Sequence, residues 1–299
     1  MRVTIFGASG LLGKALLHEW NGDTVTGLTS HAADIRDAKC VLQVVRETSP
    51  EWIVLAAAYT DVDGCESNPE LAFAVNRDGA VNVANAAKEV GARLVFLSSD
   101  YVFDGKKTTP YEIDDARNPQ SVYGRTKAEA EIRLLELIPN CCIARTSWLF
   151  GIGGKCFPDT ILKLAASRPA LDVVNDQRGC PTYTIDLARA ISQLCRKNAN
   201  GIVHVTNAGD STWFEFAQEI VRGAGLATTV RPVSSQQMAR PAPRPAYSVL
   251  SPTRHRKLQD RDRTDRRCRR RALYRERAPQ DRRRDGGAHG RKHRGPHDL

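Results

Sequence analysis

The sequence predicts an α/β fold, a parallel sheet covered by helices on both faces. Two observations lead there: short apolar strands alternate with helical stretches of more than ten residues, and a loop of spaced glycines joins the first strand to the first helix. At 299 residues the chain can bury a sizeable core.

Residues 2–6 are the first buried strand, and an apolar-periodic helix runs from the glycine loop to about Trp20. Val25–Leu28 is the second strand. Asp37–Thr48 has helical spacing, with Val41, Leu42, Val44 and Val45 on one face, and Trp52–Ala56 is the third strand. Pro69–Val90 reads as one long helix with Leu71, Ala72, Val75, Ala80, Val83, Ala84 and Ala87 inward. A fourth strand at Arg93–Leu97, a helix at Pro119–Leu137 and a fifth strand at Cys141–Arg145 continue the alternation. Beyond about residue 150 the pattern loosens. Strands at Leu171–Val174, Ile202–Val205 and Thr228–Pro232, with helices at Thr184–Arg196 and Thr212–Gly223, predict a smaller lobe interleaved with the end of the sheet. Arg240-Pro-Ala-Pro-Arg-Pro is expected to be a stiff, extended loop.

The net charge of +10 belongs mainly to one segment. Residues 258–299 hold 15 Lys+Arg against 7 Asp+Glu, leaving 29 basic and 27 acidic groups in 1–257. The tail has fourteen arginines and almost no branched aliphatics, too little apolar area to offset ordering entropy, so disorder is expected there. The abrupt change reads either as a nucleic-acid-binding arm or as a frameshifted terminus; any nucleic-acid argument rests on the tail alone. The expected organisation is therefore one domain over 1–257, with its substrate lobe mainly within 150–257, and a separate tail. No apolar run reaches membrane-spanning length, and the N-terminus starts directly on a strand, so a cytoplasmic protein is expected. Eight cysteines without Cys-x-x-Cys or zinc spacing predict reduced, mostly buried thiols and no metal.

Gly7-Ala-Ser9-Gly10-Leu11-Leu12-Gly13 supplies the first chemical signal. The first glycine permits a tight turn, the second lets backbone approach a pyrophosphate, and the third allows close helix packing, while amides at the helix start meet the anion. An ordinary glycine-rich turn is the alternative. Leu28-Thr-Ser-His31 stands where a ribose-binding carboxylate is expected, so nothing repels a 2′-phosphate: NADPH is accommodated, with NADH as the alternative. Asp34 and Ile35 fit an adenine edge, or Asp34 caps a helix over 36–48. Ala56, Ala57, Ala58 and Tyr59 follow the third strand, where small residues let a cofactor lie close, or simply pack.

Tyr123 and Lys127 lie four apart on a predicted helix and so share a face. An ammonium beside a phenol is expected to lower the phenol pKa and ready it for proton exchange with a carbonyl oxygen. Ser99, leaving the fourth strand, can hydrogen-bond that oxygen, or can close a local turn.

The glycine loop, Ala-Ala-Tyr-Thr-x-Val-Asp (57–63), Ser-Ser-Asp-Tyr-Val-Phe-Asp-Gly (98–105), Tyr-Gly-x-x-Lys (123–127), Arg-Thr-Ser-Trp-Leu-Phe-Gly (145–151) and Asp-Gln-x-Gly-x-Pro-Thr (176–182) together resemble the extended short-chain dehydrogenase/reductases. Within them, the run over residues 1–257 is most similar to the dTDP-4-dehydrorhamnose reductase family. The resemblance implies a Rossmann fold with a small C-terminal substrate lobe. It implies NADPH-dependent, sometimes NADH-dependent, reduction of a 4-keto nucleotide sugar to dTDP-L-rhamnose, a precursor of cell-surface polysaccharide. It implies Tyr123 as the acid, Lys127 as its electrostatic partner and ribose anchor, and Ser99 as the carbonyl-orienting hydroxyl. Asp100 and Tyr101 would border the sugar, Trp148 would close over it, Val62 and Asp63 would lie in a loop near it, and Asn76 beneath the site. Where the family has Ser-Thr before Asp-Tyr, this chain has Ser98-Ser99, which keeps the hydroxyl. A monomer or homodimer is implied. An epimerase of the same fold shares the glycines and the Ser/Tyr/Lys set, and a non-catalytic NADP-binding subunit shares the fold; the Asp-Tyr-Val-Phe-Asp-Gly and Arg-Thr-Ser-Trp runs favour the reductase.

Overall fold

The computed structural model describes residues 1–20 and 22–251; the arginine-rich tail, Cys268 and the expected domain end at 252–257 lie outside them. The first half runs β1 (Arg2–Phe6), α1 (Leu11–Glu19), β2 (Thr24–Leu28), α2 (Ala38–Thr48), β3 (Trp52–Leu55), α3 (Val62–Ser67), α4 (Pro69–Phe73), a π-turn (Ala74–Asp78), α5 (Gly79–Val90), β4 (Arg93–Ser99) and a 3-10 turn (Asp100–Val102). It continues α6 (Val122–Leu137), β5 (Cys142–Thr146), β6 (Leu149–Phe150), α7 (Phe157–Ala165), β7 (Ala170–Val174), β8 (Arg178–Gly179), β9 (Thr182–Tyr183), α8 (Thr184–Arg196), β10 (Gly201–His204), β11 (Ser211–Thr212), α9 (Trp213–Gly223) and β12 (Thr229–Val233).

The main sheet has the order β10-β5-β4-β3-β1-β2, with every pair parallel. Both faces are covered, as strands that are apolar throughout require. On one face Ile53, Leu55, Leu94 and Phe96 pack with Val83, Ala84 and Ala87 of α5, Val41 and Val45 of α2, and Leu134 of α6. On the other, Val3, Ile5, Val54 and Val95 pack with Leu12 and Leu16 of α1 and Leu187, Ile191 and Leu194 of α8. The strand order reverses between β1 and β3, the point where open parallel sheets of this kind bind ligands beyond the strands' carboxyl ends. The smaller lobe adds the parallel pair β7–β12, the antiparallel pair β8–β11 and the pair β6–β9.

Three expectations need correction. The predicted helix over 69–90 is broken by the π-turn, which inserts extra residues into the helical period. That offset rotates α4 out of phase with α5, so Ala72 is buried while Leu71 is exposed rather than inward. Val62 and Asp63 start a short helix, not a loop, capped by the Asp61 side chain on the Gly64 amide. Asp34 does not cap α2: Asp37 does, accepting from the Lys39 and Cys40 amides. Five of the seven described cysteines are buried, as expected: Cys65, Cys141, Cys142, Cys180 and Cys195. No helix among the described residues is long and apolar enough to cross a membrane.

The lobe helix α9 begins with a complete capping box. The Glu215 amide donates to Thr212 Oγ1 at 3.1 Å, and the Thr212 amide donates to Glu215 Oε2 at 2.8 Å. Thr212→Ala is expected to cost about 1 kcal/mol and to lower the melting temperature by about 2–4 °C. Thr212→Ser should retain the wild-type value in the same calorimetric scan.

Candidate active site

The glycine loop closes against the strand that follows it in the sheet. Gly7 has φ +89, and a Cβ on it would lie 2.5 Å from the Ala57 nitrogen. A Cβ on Gly13 would lie 2.1 Å from the Gly7 carbonyl oxygen, so only glycine lets α1 start this close to the loop. The Gly7 and Ala8 amides donate to the Leu28 carbonyl at 2.9 and 3.0 Å, pinning the loop to the end of β2. Among the described residues no side chain caps α1 at Gly10. A tight glycine crevice, small residues at the end of β3 and an uncapped helix start suit the pyrophosphate of a dinucleotide. Ser9, Leu11 and Leu12 belong to that helix start. Asp34 is held by Arg36, whose Nε lies 3.0 Å from both carboxylate oxygens and whose guanidinium keeps the carboxyl below its usual pKa. The Ile35 side chain is buried, close enough to α5 that a Cβ on Gly79 would sit 2.7 Å from it. It is a core residue, and only its backbone can face a cofactor.

The candidate catalytic side chains gather at the end of β4. Ser98 and Ser99 pair in register with Arg145 and Thr146 of β5. The Ser99 hydroxyl donates to Asp100 Oδ1 at 2.9 Å and accepts from the Tyr101 amide at 3.2 Å, so it also caps the following turn. Helix α6 brings Tyr123 to this point because its third residue is a glycine: a Cβ on Gly124 would lie 2.3 Å from the Tyr101 carbonyl oxygen. The Tyr123 and Tyr101 rings meet edge to face at 5.5 Å between centroids. Two acceptors fix the helix start: Ser121 Oγ takes the Gly124 amide at 3.1 Å, and Glu66 of α3 takes the Val122 amide at 2.7 Å. Glu66 carried no motif signal; only the docking of α3 reveals it.

Lys127 is buried, with Nζ donating to the Leu97 carbonyl at 2.8 Å and standing 4.5 Å over the Phe96 ring. Burial pulls its pKa down to about 8, opposed by the nearby Glu131 and Cys65. The expected lowering of the Tyr123 pKa is not observed. Burial and the Asp100 charge push the phenol above its ordinary value, with the Ser99 hydroxyl pulling the other way. The physical reason is that desolvation of a phenolate outweighs a single hydrogen bond. Asp100 is itself buried, with Oδ2 lacking a partner among the described residues, and burial pushes its carboxyl up to about 6 against the Ser248 and Ser99 hydroxyls. The Tyr101 phenol is raised by burial and by Asp100.

The remaining expected residues fall around this centre. Asn76, in the π-turn, is buried; its Oδ1 accepts from the Tyr59 amide at 2.8 Å and its Nδ2 donates to the Tyr59 carbonyl at 3.0 Å and Thr126 Oγ1 at 3.1 Å. It thereby joins the end of the Ala56–Tyr59 segment to α6. Tyr59 and Tyr123 both pack against the buried cluster of Cys65, Ala72 and Val122. Val62 is half-buried at the start of α3. Asp63 takes both Nη groups of Arg244 at 3.0 Å and the Ala242 amide at 3.1 Å, tying residues 242–244 to α3. Arg244 thus joins the expected Asp63, a pairing across 181 residues that no local motif foretells. Trp148 has φ +48 and stacks on Trp213 at 3.5 Å between centroids, with an interplanar angle of 5°. A Cβ on Gly179 would lie 2.6 Å from the indole, which explains the glycine of the Asp-Gln-x-Gly-x-Pro-Thr run. One indole face is therefore committed to Trp213, a partner the sequence reading missed. No group of three or more metal-ligating side chains occurs among the described residues.

Comparison with known proteins places this geometry. The RmlD substrate binding domain family matches residues 1–274. The dTDP-4-dehydrorhamnose reductase of Streptomyces griseus is 42% identical over 262 residues, covering 85% of this chain and 86% of that protein. The spore coat polysaccharide biosynthesis protein SpsK of Bacillus subtilis is 40% identical over 261 residues, covering 87% of this chain and 91% of that protein. The crystal structure of dTDP-4-dehydrorhamnose reductase from Bacillus anthracis in complex with NADP superposes with a TM-score of 0.84 at 39% identity, covering 86% of this chain and 92% of that one.

The raised Asp100 carboxyl has a consequence for stability. The folded chain holds a proton down from pH 6, whereas the unfolded chain releases it near a pKa of about 3.9. Stability contributed at low pH is therefore lost as pH rises through that window. Asp100→Asn should leave stability nearly unchanged at pH 4 and raise it by on the order of 2 kcal/mol above pH 6. Urea unfolding of both proteins at the two pH values checks this; an equal change at both would refute it.

Proposed function

This chain belongs to the RmlD substrate binding domain family, and we propose that it reduces the 4-keto group of dTDP-4-dehydro-6-deoxy-L-mannose to dTDP-L-rhamnose with NADPH. The observation that carries the reading is the convergence of Ser99, Asp100 and Tyr123 at the end of β4, with Lys127 on the same helix as Tyr123. The reductase domain is residues 1–257, with its substrate lobe mainly within 150–257.

The glycine loop fits the cofactor's pyrophosphate, because Gly7 and Gly13 leave no room for side chains there and the start of α1 is uncapped. Gly7, Ser9, Gly10, Leu11, Leu12 and Gly13 would hold it, with Ala56, Ala57, Ala58 and Tyr59 along the adjoining strand end. When bound, the reduced nicotinamide supplies the hydride that goes to C4 of the sugar. Ser99 orients the carbonyl oxygen. Tyr123 gives that oxygen its proton, and its raised pKa keeps the phenol loaded at neutral pH, as a donor must be. The Lys127 ammonium stabilises the phenolate that remains. Val62, Asp100, Tyr101 and Trp148 border the sugar.

NADPH oxidation by the purified full chain, followed by absorbance with dTDP-4-dehydro-6-deoxy-L-mannose, tests the activity. Tyr123→Phe is expected to lower kcat by roughly 10²–10⁴-fold while NADPH binding, read by its fluorescence, stays near the wild-type value. A fully active Tyr123→Phe protein would remove Tyr123 as the donor.

A further inference from the structure

Beneath Lys127 lies a buried cluster that the reaction above does not use. Glu131 follows Lys127 by four residues on α6, hence on the same helical face, and is fully buried. Its Oε1 accepts from Ser98 Oγ at 2.6 Å and Arg145 Nε at 2.8 Å; its Oε2 accepts from Arg145 Nη2 at 2.7 Å and Arg117 Nε at 2.6 Å. Arg145 is fully buried too, spends Nη1 on the Ile113 carbonyl at 3.1 Å, and stacks 5.0 Å over Phe103. One carboxylate thus receives four hydrogen bonds from β4, β5 and the segment before α6.

We propose that Glu131 is a positioning residue for the reduction, fixing α6 on the strand that bears Ser99 and setting the charge carried by Lys127. The inference rests on the reductase reading for its role in turnover, while the action of Glu131 on Lys127, four residues before it on α6, stands apart from that reading. Ser98, which Glu131 grips, adjoins both Leu97, the acceptor of the Lys127 ammonium, and Ser99. Movement of the carboxylate would therefore displace the lysine's anchor and the carbonyl-orienting hydroxyl together.

The charges facing this pair are few. Lys127 meets Glu131 on α6, Cys65 on α3, and the Leu97 carbonyl and Phe96 ring on β4. Glu131 meets Arg145 on β5, Arg117, and more distantly Cys141 and His204. Asp100 acts on the phenol. Burial works against the Glu131 charge, but Arg145 and Arg117 hold the carboxyl below its usual range, so it stays ionised across the working range. With Lys127 near 8, its ammonium is favoured first by Glu131 and then by Cys65. Arg117 acts in the opposite sense, as a cation on the far side of the same carboxylate.

Two substitutions of opposite sign give the test. Glu131→Gln keeps the acceptor shape and removes the anion; Arg117→Gln removes a cation whose side chain is 26% exposed and whose loss the fold can absorb. The titration of Lys127 is read from its 13Cε resonance in lysine-labelled full-length protein, assigned by its disappearance in Lys127→Met. Glu131→Gln is expected to move the midpoint down by about one pH unit, and Arg117→Gln to move it up by less. The alkaline limb of kcat in NADPH-dependent turnover should move with each. A merely structural role for Glu131 would depress activity at every pH and move neither midpoint. An unmoved midpoint in Glu131→Gln, or shifts of the same sign in both variants, overturns the proposal; if Glu131→Gln does not fold, the direction in Arg117→Gln decides. A wild-type chain that oxidises no NADPH would instead defeat the reductase reading, and the resonance titration would still judge Glu131.

Discussion

The Glu131 carboxylate is the contact on which the catalytic end of the molecule depends. It joins α6 to β4 through Ser98 and to β5 through Arg145, the two strands whose ends open onto the site. Burying an ion pair is an expensive way to gain stability, since desolvation consumes much of the Coulomb attraction. Its advantage is directional: a planar guanidinium meeting a carboxylate through two parallel bonds tolerates little rotation or slip. Apolar side chains could fill the same volume and leave α6 free to slide. The neighbouring His204 shows the local field, for burial and the Arg145 charge together pull its pKa down to about 4 and keep it neutral.

With the helix fixed in register, how close it comes is decided by missing side chains. Gly124 lets α6 press on the Tyr101 carbonyl, Gly13 lets α1 press on the Gly7 carbonyl, and Gly179 makes room for the Trp148 indole. Each is a place where any Cβ would fall within 2.6 Å of a neighbouring atom. The site is therefore an assembly of near contacts between rigid elements, which is how side chains from four separate segments reach hydrogen-bonding distance of one another.

Much of this was legible in the sequence, because periodicity and turn chemistry are local. Every strand of the main sheet and the long helices α5, α6 and α8 followed from apolar spacing, and the spaced glycines marked the turn from β1 into α1. Helix α3 was not legible: its six residues, Val-Asp-Gly-Cys-Glu-Ser, carry no apolar period, and it exists because Asp61 caps it and it docks on α6. The π-turn was hidden for another reason, since a shift in backbone hydrogen bonding leaves composition unchanged. The protonation of Tyr123 was misread because sequence lists which charges are near along a helix but not how deeply water is excluded. Burial and Asp100, 23 residues away in the chain, outweigh the partner one turn along.

The same reasoning explains why the segment after β12 belongs to the site. Residues 240–250 have no helix or strand of more than an isolated bridge, yet they are fixed at regular intervals. Arg244 binds Asp63, the Tyr247 amide reaches Gly105, the Ser248 amide reaches Arg178, and the Tyr111 amide returns to Val249. Proline at 241, 243 and 245 lowers the entropy lost when such a strand is pinned. What the strap adds is Ser248, a buried hydroxyl that works, with Ser99, against the rise that burial imposes on the Asp100 carboxyl. Asp100 in turn adds to the rise that burial gives the Tyr123 phenol. The strap thus reaches the proposed proton donor's surroundings through Ser248 and Asp100.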